Sequence, residues 1–113
     1  MAVLSNQQSG FLYLLAILYM QQSKYNLALH LLRVLSIHHP MDAKIALALA
    51  FCLYRSKRFH KAQTVMLDLD LSQLPKEFRA VFFYINSKIL WELGEKEPSR
   101  KMLHKYLQTR ISA

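Results

Sequence analysis

Two short segments, Tyr25-Asn-Leu-Ala28 and Phe59-His-Lys-Ala62, decide the fold and lie 34 residues apart. Each places an aromatic residue three positions before an alanine. At the same offset, Ala16 aligns with Ala50 upstream of the two segments. A period of this length is typical of stacked structural repeats, in which each repeat is one supersecondary unit. The sequence therefore predicts a repeat protein.

Each unit has the pattern of two helices. In the first unit, apolar residues recur with a period near 3.6, at positions 11, 12, 15, 18 and 19 and then at 28, 31, 32 and 35. The polar stretch 21–24 separates the two helices. The second unit predicts helices over about 42–55 and 59–69, with Asp42 as the N-cap of the first.

A third pair of helices follows, displaced by three residues. Its first helix covers 76–93 and ends at Gly94, which aligns with Ser23 and Lys57. Pro98 suits the first turn of a last helix that reaches about 109. We therefore expect an all-α chain with six helices in three hairpins. Residues 1–113 form one domain, with repeats over about 9–41, 42–75 and 76–110.

The composition agrees with this fold and favours a binding role. Of the 113 residues, 53% are hydrophobic and 19% are charged, which excludes a disordered chain. Two Gly and three Pro are too few for the many turns of an all-β fold. So small a domain cannot hide this much apolar surface alone, and we expect a partner. The single Cys52 stands among apolar residues and is interpreted as a buried small hydrophobe.

The repeat resembles the tetratricopeptide repeat. The first unit matches that family's pattern of large, small and aromatic residues at Leu12, Leu15, Ala16, Tyr19, Tyr25, Ala28, Leu32 and Pro40. The third unit is degenerate, because Asn86 stands where a leucine is expected and Ser99 where an alanine is expected. Over about 9–110, the resemblance implies a short right-handed solenoid with a concave groove.

The resemblance also implies which residues line that groove. Carried over position by position, they are Tyr13, Ile17, Met20, Lys44, Leu47, Phe51, Tyr54, Tyr84, Lys88 and Trp91. An aromatic and apolar groove suits an amphipathic helix. The alternative is that these residues belong to the core, since an apolar stripe at helical spacing usually does. Repeats that clamp acidic C-terminal tails carry Lys and Asn where this chain has Tyr13 and Ile17, so that role is not expected.

Three repeats in so short a chain resemble the small chaperones of bacterial type III secretion, in particular the needle-subunit chaperones. The resemblance implies a bacterial cytoplasmic protein that holds an amphipathic helix of a secreted needle subunit and prevents premature polymerisation. It also implies a small helical co-chaperone that covers the first repeat near Val3, Leu4 and Phe11.

Charge supplies the main alternative. Fifteen Lys and Arg against seven Asp and Glu give a net charge of +8. The basic residues cluster at 55–61 and 100–110, a pattern that favours acidic partners, including nucleic acid. Each cluster contains a single aromatic residue, Phe59 or Tyr106, rather than a series of them that could stack on successive bases, so we prefer a solvated outer face. A basic nucleic-acid-binding protein or a general scaffold of the same repeat type stays open.

No pattern predicts an enzyme, a metal site, a cofactor or membrane insertion. His38 and His39 lack a nearby cysteine or carboxylate at ligand spacing. Asp68 and Asp70 are two residues apart, so they face different sides of a helix and make a poor catalytic pair. The apolar run 11–20 is too short to span a bilayer as a helix.

Overall fold

The computed structural model describes residues 4–112, and this part of the chain is all-helical with six α-helices and no strand. The predicted all-α class and the predicted number of helices are therefore confirmed. The helices are α1 (Asn6–Gln21), α2 (Tyr25–His38), α3 (Ala43–Arg55), α4 (Phe59–Asp68), α5 (Lys76–Glu92) and α6 (Lys96–Ser112). A single 3₁₀ turn, Leu71–Gln73, lies between α4 and α5.

Consecutive helices pack in pairs. The most extensive contacts join α1 to α2, α3 to α4 and α5 to α6. Further contacts connect the pairs: α3 packs against α2, and α5 packs against α4 and, less extensively, α3. Each pair thus buries one face internally and a second face against the next pair.

The same turn joins the two helices of every pair. Ser23, Lys57 and Gly94 all have the left-handed backbone conformation, with φ of 59°, 63° and 81°. At each turn, the amide of the next residue donates to the carbonyl five positions before it, the long hydrogen bond of a Schellman motif. These bonds run from Lys24 to Tyr19 (2.8 Å), from Arg58 to Leu53 (2.8 Å) and from Glu95 to Leu90 (2.9 Å). The predicted alignment of the three turns is therefore present in the backbone geometry.

Small residues lie where the paired helices cross. Ala16, Ala28, Ala50 and Ala62 have no exposed surface. In the third pair serines take these places, and Ser99 Oγ donates a 2.7 Å hydrogen bond to the carbonyl of Ser87. The bond satisfies a hydroxyl in a buried place, which is the condition for a polar group to be tolerated there.

The helix ends follow local capping. Asp42 caps α3 as predicted, because its Oδ1 accepts hydrogen bonds from the amides of Lys44 (2.9 Å) and Ile45 (3.2 Å). At α1, Ser5 Oγ accepts from the amide of Gln8, and Gln8 Oε1 accepts from the amide of Ser5, which is a capping box that starts the helix at Asn6. The last helix ends three residues later than predicted.

Cys52 lies in the centre of the core with no exposed surface, which confirms the interpretation as a small buried hydrophobe. Burial raises the pKa of its thiol to about 12. The thiol therefore stays protonated and unreactive at neutral pH.

Candidate partner-binding surface

The predicted groove residues lie on the first helix of each pair and differ sharply in exposure. On α5, Tyr84 is 42% exposed, Trp91 is 50% exposed and Lys88 is also exposed. On α3, Leu47 is 4% exposed and belongs to the core, which corrects its assignment to the groove. Leu47 is buried because α3 packs against both α2 and α5. Among the described helices, none follows the third pair to cover α5 in the same way. The exposed aromatic residues of the predicted surface therefore lie on α5.

On α3, the aromatic groove residues are half-buried and already have partners. The ring of Phe51 meets the edge of the Tyr25 ring, with centroids 5.9 Å apart and planes at 76°. The guanidinium of Arg55 lies 5.3 Å from the centroid of that Tyr25 ring. Tyr54 packs against Phe59 at 5.9 Å. A partner would have to displace Tyr25 to reach Phe51 fully, and the sequence interpretation did not include this cover.

Tyr13 on α1 and Lys44 in the first turn of α3 lie at one joint between these helices. The joint borders a cavity of about 190 Å³, whose lining includes Tyr13, Asp42 and Lys44. Next to it, Ser9 Oγ and His39 Nε2 form a 2.8 Å hydrogen bond that ties α1 to the end of α2. Burial, and secondly the nearby charge of Asp42, raise the pKa of the Tyr13 hydroxyl. This joint is therefore formed by α1, the end of α2 and the start of α3.

The remaining groove residues of α1, Ile17 and Met20, are half-buried. Of the three predicted co-chaperone contacts, Phe11 is 65% exposed and Leu4 packs against the core. Val3 lies outside the described residues. Phe11 and Leu4 border one shallow depression together with Gln7, Gln8 and Leu12.

Sequence reasoning missed a second apolar stripe on α1. Leu14 is 58% exposed and Leu18 is 45% exposed, and together with Phe11 they repeat at helical spacing. On α2, Leu27 (47%), Val34 (42%) and Ile37 (66%) are exposed as well. The signal was present, because residues 11–20 are apolar almost all round the helix, but periodicity alone does not say which face is covered.

Cations lie over the exposed aromatic rings of α5. Lys88 Nζ is 5.3 Å from the centroid of Tyr84, and Lys96 Nζ is 5.4 Å from the centroid of Trp91. Such contacts contribute about 0.5–1 kcal/mol each at exposed sites. The α5 surface is therefore aromatic and positively charged at once, a combination that suits an apolar partner with acidic flanks.

The basic clusters are exposed. Lys57, Arg58 and Lys61 border a shallow surface depression together with Phe59 and Glu92. Arg100 forms an ion pair with Glu97 three residues earlier, the single ion pair found over residues 4–112. Most of the positive charge of this part of the chain is therefore free to act on a partner.

The described residues contain no group of three or more His, Cys, Asp or Glu that could hold a metal ion. Among the helices of residues 4–112, none has the length and hydropathy needed to cross a membrane. Comparison of the chain with protein-family models, with curated proteins and with solved structures gives no match.

Proposed function

We propose that the chain is a protein-binding helical-repeat protein of the tetratricopeptide type, whose three helix pairs stack as a short right-handed solenoid. The identical left-handed turns at Ser23, Lys57 and Gly94 support this proposal. The fully buried alanines at the helix crossings support it as well, because the repeat needs small residues there.

Its function, in this proposal, is to sequester an amphipathic helix that would otherwise self-associate. The observation that carries the proposal is the exposure of Tyr84 and Trp91 on α5, at 42% and 50%. Burying a large apolar anchor contributes about 1.5–3 kcal/mol. A few such anchors therefore suffice for a stable complex after the cost of ordering the two partners is subtracted.

The resemblance to the needle-subunit chaperones of type III secretion suggests which helix is bound and in which compartment. The bound helix is then that of a secreted needle subunit, held in the bacterial cytoplasm before export. A small helical co-chaperone covers the exposed stripe of Phe11, Leu14 and Leu18 on α1.

The test is to purify the tagged chain from its native cells and determine the intact mass and identity of what accompanies it. We expect one or two small helical proteins, at least one of which polymerises when purified alone. Trp91→Asp should remove that protein from the complex. Leu67→Asp is the matched control, because Leu67 is 78% exposed on α4 and outside the proposed surface. A chain that purifies alone, or equal binding by both variants, would contradict the proposal.

The second candidate is nucleic-acid binding, which the exposed Lys57, Arg58 and Lys61 cluster favours. Contacts to phosphates make binding fall steeply with salt, because counterions are released. Measured affinity for single-stranded and double-stranded oligonucleotides between low and physiological salt decides the matter. Tight binding that collapses with salt and is lost in Lys57→Glu with Arg58→Glu would support this candidate instead.

A further inference from the structure

The last helix pair contains an aromatic cavity that sequence reasoning missed. It lies between α5 and α6 and measures about 540 Å³. Its lining includes Val81 and Tyr84 from α5 and Tyr106 and Arg110 from α6. The two tyrosine rings lie 5.2 Å apart at their centroids. The cavity is open to solvent, since Val81 is 43% exposed.

The first helix pair has an equivalent surface, and the start of α3 packs against it. The turn residues Ser23 and Gly94 set the register between the two pairs at 71 residues. Counted in this register, the four lining residues correspond to Gly10, Tyr13, Leu35 and His39. Those four residues line the joint with the start of α3, to which Asp42 and Ile45 also contribute. The cavity on the last pair is thus the counterpart of a joint at which α3 packs against the first pair, and only α5 and α6 line it.

Exposure at matching positions leads to the same conclusion. Leu32, Met66 and Leu103 each lie nine residues after the turn of their pair. Leu32 is 0% exposed and Met66 is 3% exposed, because α3 packs against α2 and α5 packs against α4. Leu103 on α6, the last described helix, is 42% exposed. The third pair leaves open the surface that a following helix covers on the first two.

The charges around the cavity define what can cover it. Lys76 and Arg110 line it against one acid, Glu77, and Lys88 lies over the Tyr84 ring. In the first pair, the covering turn supplies an acidic N-cap, Asp42, and a buried apolar residue three positions later, Ile45. The cavity on the last pair is also lined by apolar and aromatic residues, and it has more positive charge from its own helix pair.

We propose that the face of α5 and α6 around this cavity binds an acidic amphipathic helix of a partner protein, which packs against this pair as α3 packs against the first. The inference goes beyond the proposed function, because it holds whether or not the partner is a needle subunit. A second copy of this chain fits poorly. The first helix of a second copy has no charged side chain before Lys24, so it has no acidic group to pair with Lys76 and Arg110. Pairing this face with the same face of a second copy would bring like charges together.

The experiment uses two synthetic amphipathic peptides with the same Leu and Ile stripe and an Asp N-cap. One carries Glu on its polar face, and the other carries Lys. Fluorescence anisotropy with the full chain should give binding of the Glu peptide at least ten times tighter than that of the Lys peptide. Equal binding of the two peptides would overturn the proposal, since it would reduce the face to a nonspecific apolar surface.

Variants locate the binding. Val81→Glu should weaken binding of the Glu peptide at least tenfold. Arg110→Glu should shift the binding preference of the chain toward the Lys peptide. Leu67→Glu is the matched control, and binding should survive in it, because Leu67 is exposed on α4 and does not line this cavity. Circular dichroism checks that each variant is folded, and Arg110, as an exposed residue, gives a second readout if Val81→Glu does not fold. Unchanged binding by both Val81→Glu and Arg110→Glu would overturn the proposal. Sedimentation that shows a dimer of the free chain, lost in Val81→Glu, would overturn it in favour of a second copy.

Discussion

Substitutions at two glycines test the geometry of the turns between paired helices. The two glycines have different backbone conformations. Gly94 has φ of +81° at the end of α5, whereas Gly10 lies inside α1. A Cβ added at either position meets no atom within 4 Å, so a change to alanine adds no clash in either case. The two substitutions therefore differ only in backbone conformation.

The magnitudes follow from that difference. A left-handed conformation costs a non-glycine residue about 1–2 kcal/mol, and the lower entropy of the unfolded chain returns about 0.4–1 kcal/mol. Gly94→Ala should thus lower the free energy of unfolding by about 0.5–1 kcal/mol. Gly10→Ala should raise it by about 1 kcal/mol, since alanine is the better residue inside a helix. Lys57→Gly, which relieves a φ of 63° in the equivalent turn, should also be stabilising.

Urea unfolding followed by circular dichroism measures all three variants at once. The dependence of the free energy on urea should stay constant, because none of the changes alters the surface exposed on unfolding. If Gly94→Ala stabilises the chain as much as Gly10→Ala does, residue 94 is not left-handed and the common turn geometry is refuted. If Lys57→Gly destabilises the chain, the equivalence of the second turn with the third fails.

Four further predictions test the cap of α3, the environment of Tyr13, the core and the buried thiol. Asp42→Ala should cost about 1 kcal/mol of stability through loss of the cap on α3. Asp42→Asn should keep the cap but lower the pKa of Tyr13, observed by NMR titration; an unchanged Tyr13 pKa would contradict the proximity of the two groups. Ala50→Leu should cost about 1–3 kcal/mol in urea unfolding, because the helix crossing has no room for a larger side chain; a neutral effect would mean that the crossing is loose. Cys52 ionises near pH 8.5 when unfolded but at about 12 when folded. The unfolded state then holds fewer protons in that window, so stability should fall as pH rises from 8.5, and Cys52→Ala should flatten the fall. If the stability of the original chain and that of Cys52→Ala fall equally with pH, the thiol is exposed to solvent in the folded state.

The helices and their turns could be predicted because the information for them is local. The polar stretches at 21–24 and 55–58 and the glycine at 94 each close one hydrogen-bonded turn, and Asp42 caps the next helix through its own neighbours. The start of α1 could have been found in the same way, because Ser5 and Gln8 have the spacing of a capping box. The 3₁₀ turn was missed although its signal is local as well, since the amide of Ser72 donates a hydrogen bond to the Asp70 carboxylate two residues before it.

The candidate surface could be predicted only in part, because exposure is set by the neighbouring helices. Leu47 and Tyr84 occupy matching positions, and both were predicted to line the groove. One is 4% exposed and the other 42% exposed, since a following pair covers α3 but not α5. Periodicity assigns both residues to the same face and does not indicate which copy of that face stays open.

The first and last helix pairs have different chemistry, which distinguishes the co-chaperone proposed at α1 from the acidic helix proposed at α5 and α6. At α1 the exposed stripe of Phe11, Leu14 and Leu18 lies in a segment with no charge before Lys24. At α5 and α6 the open cavity is bordered by Lys76 and Arg110. Since salt screens exposed charges but does not weaken apolar burial, binding at α1 should resist added salt, whereas binding at the last pair should weaken. One salt titration of a complex that occupies both ends therefore distinguishes them, because the partner held by Val81 and Arg110 dissociates first.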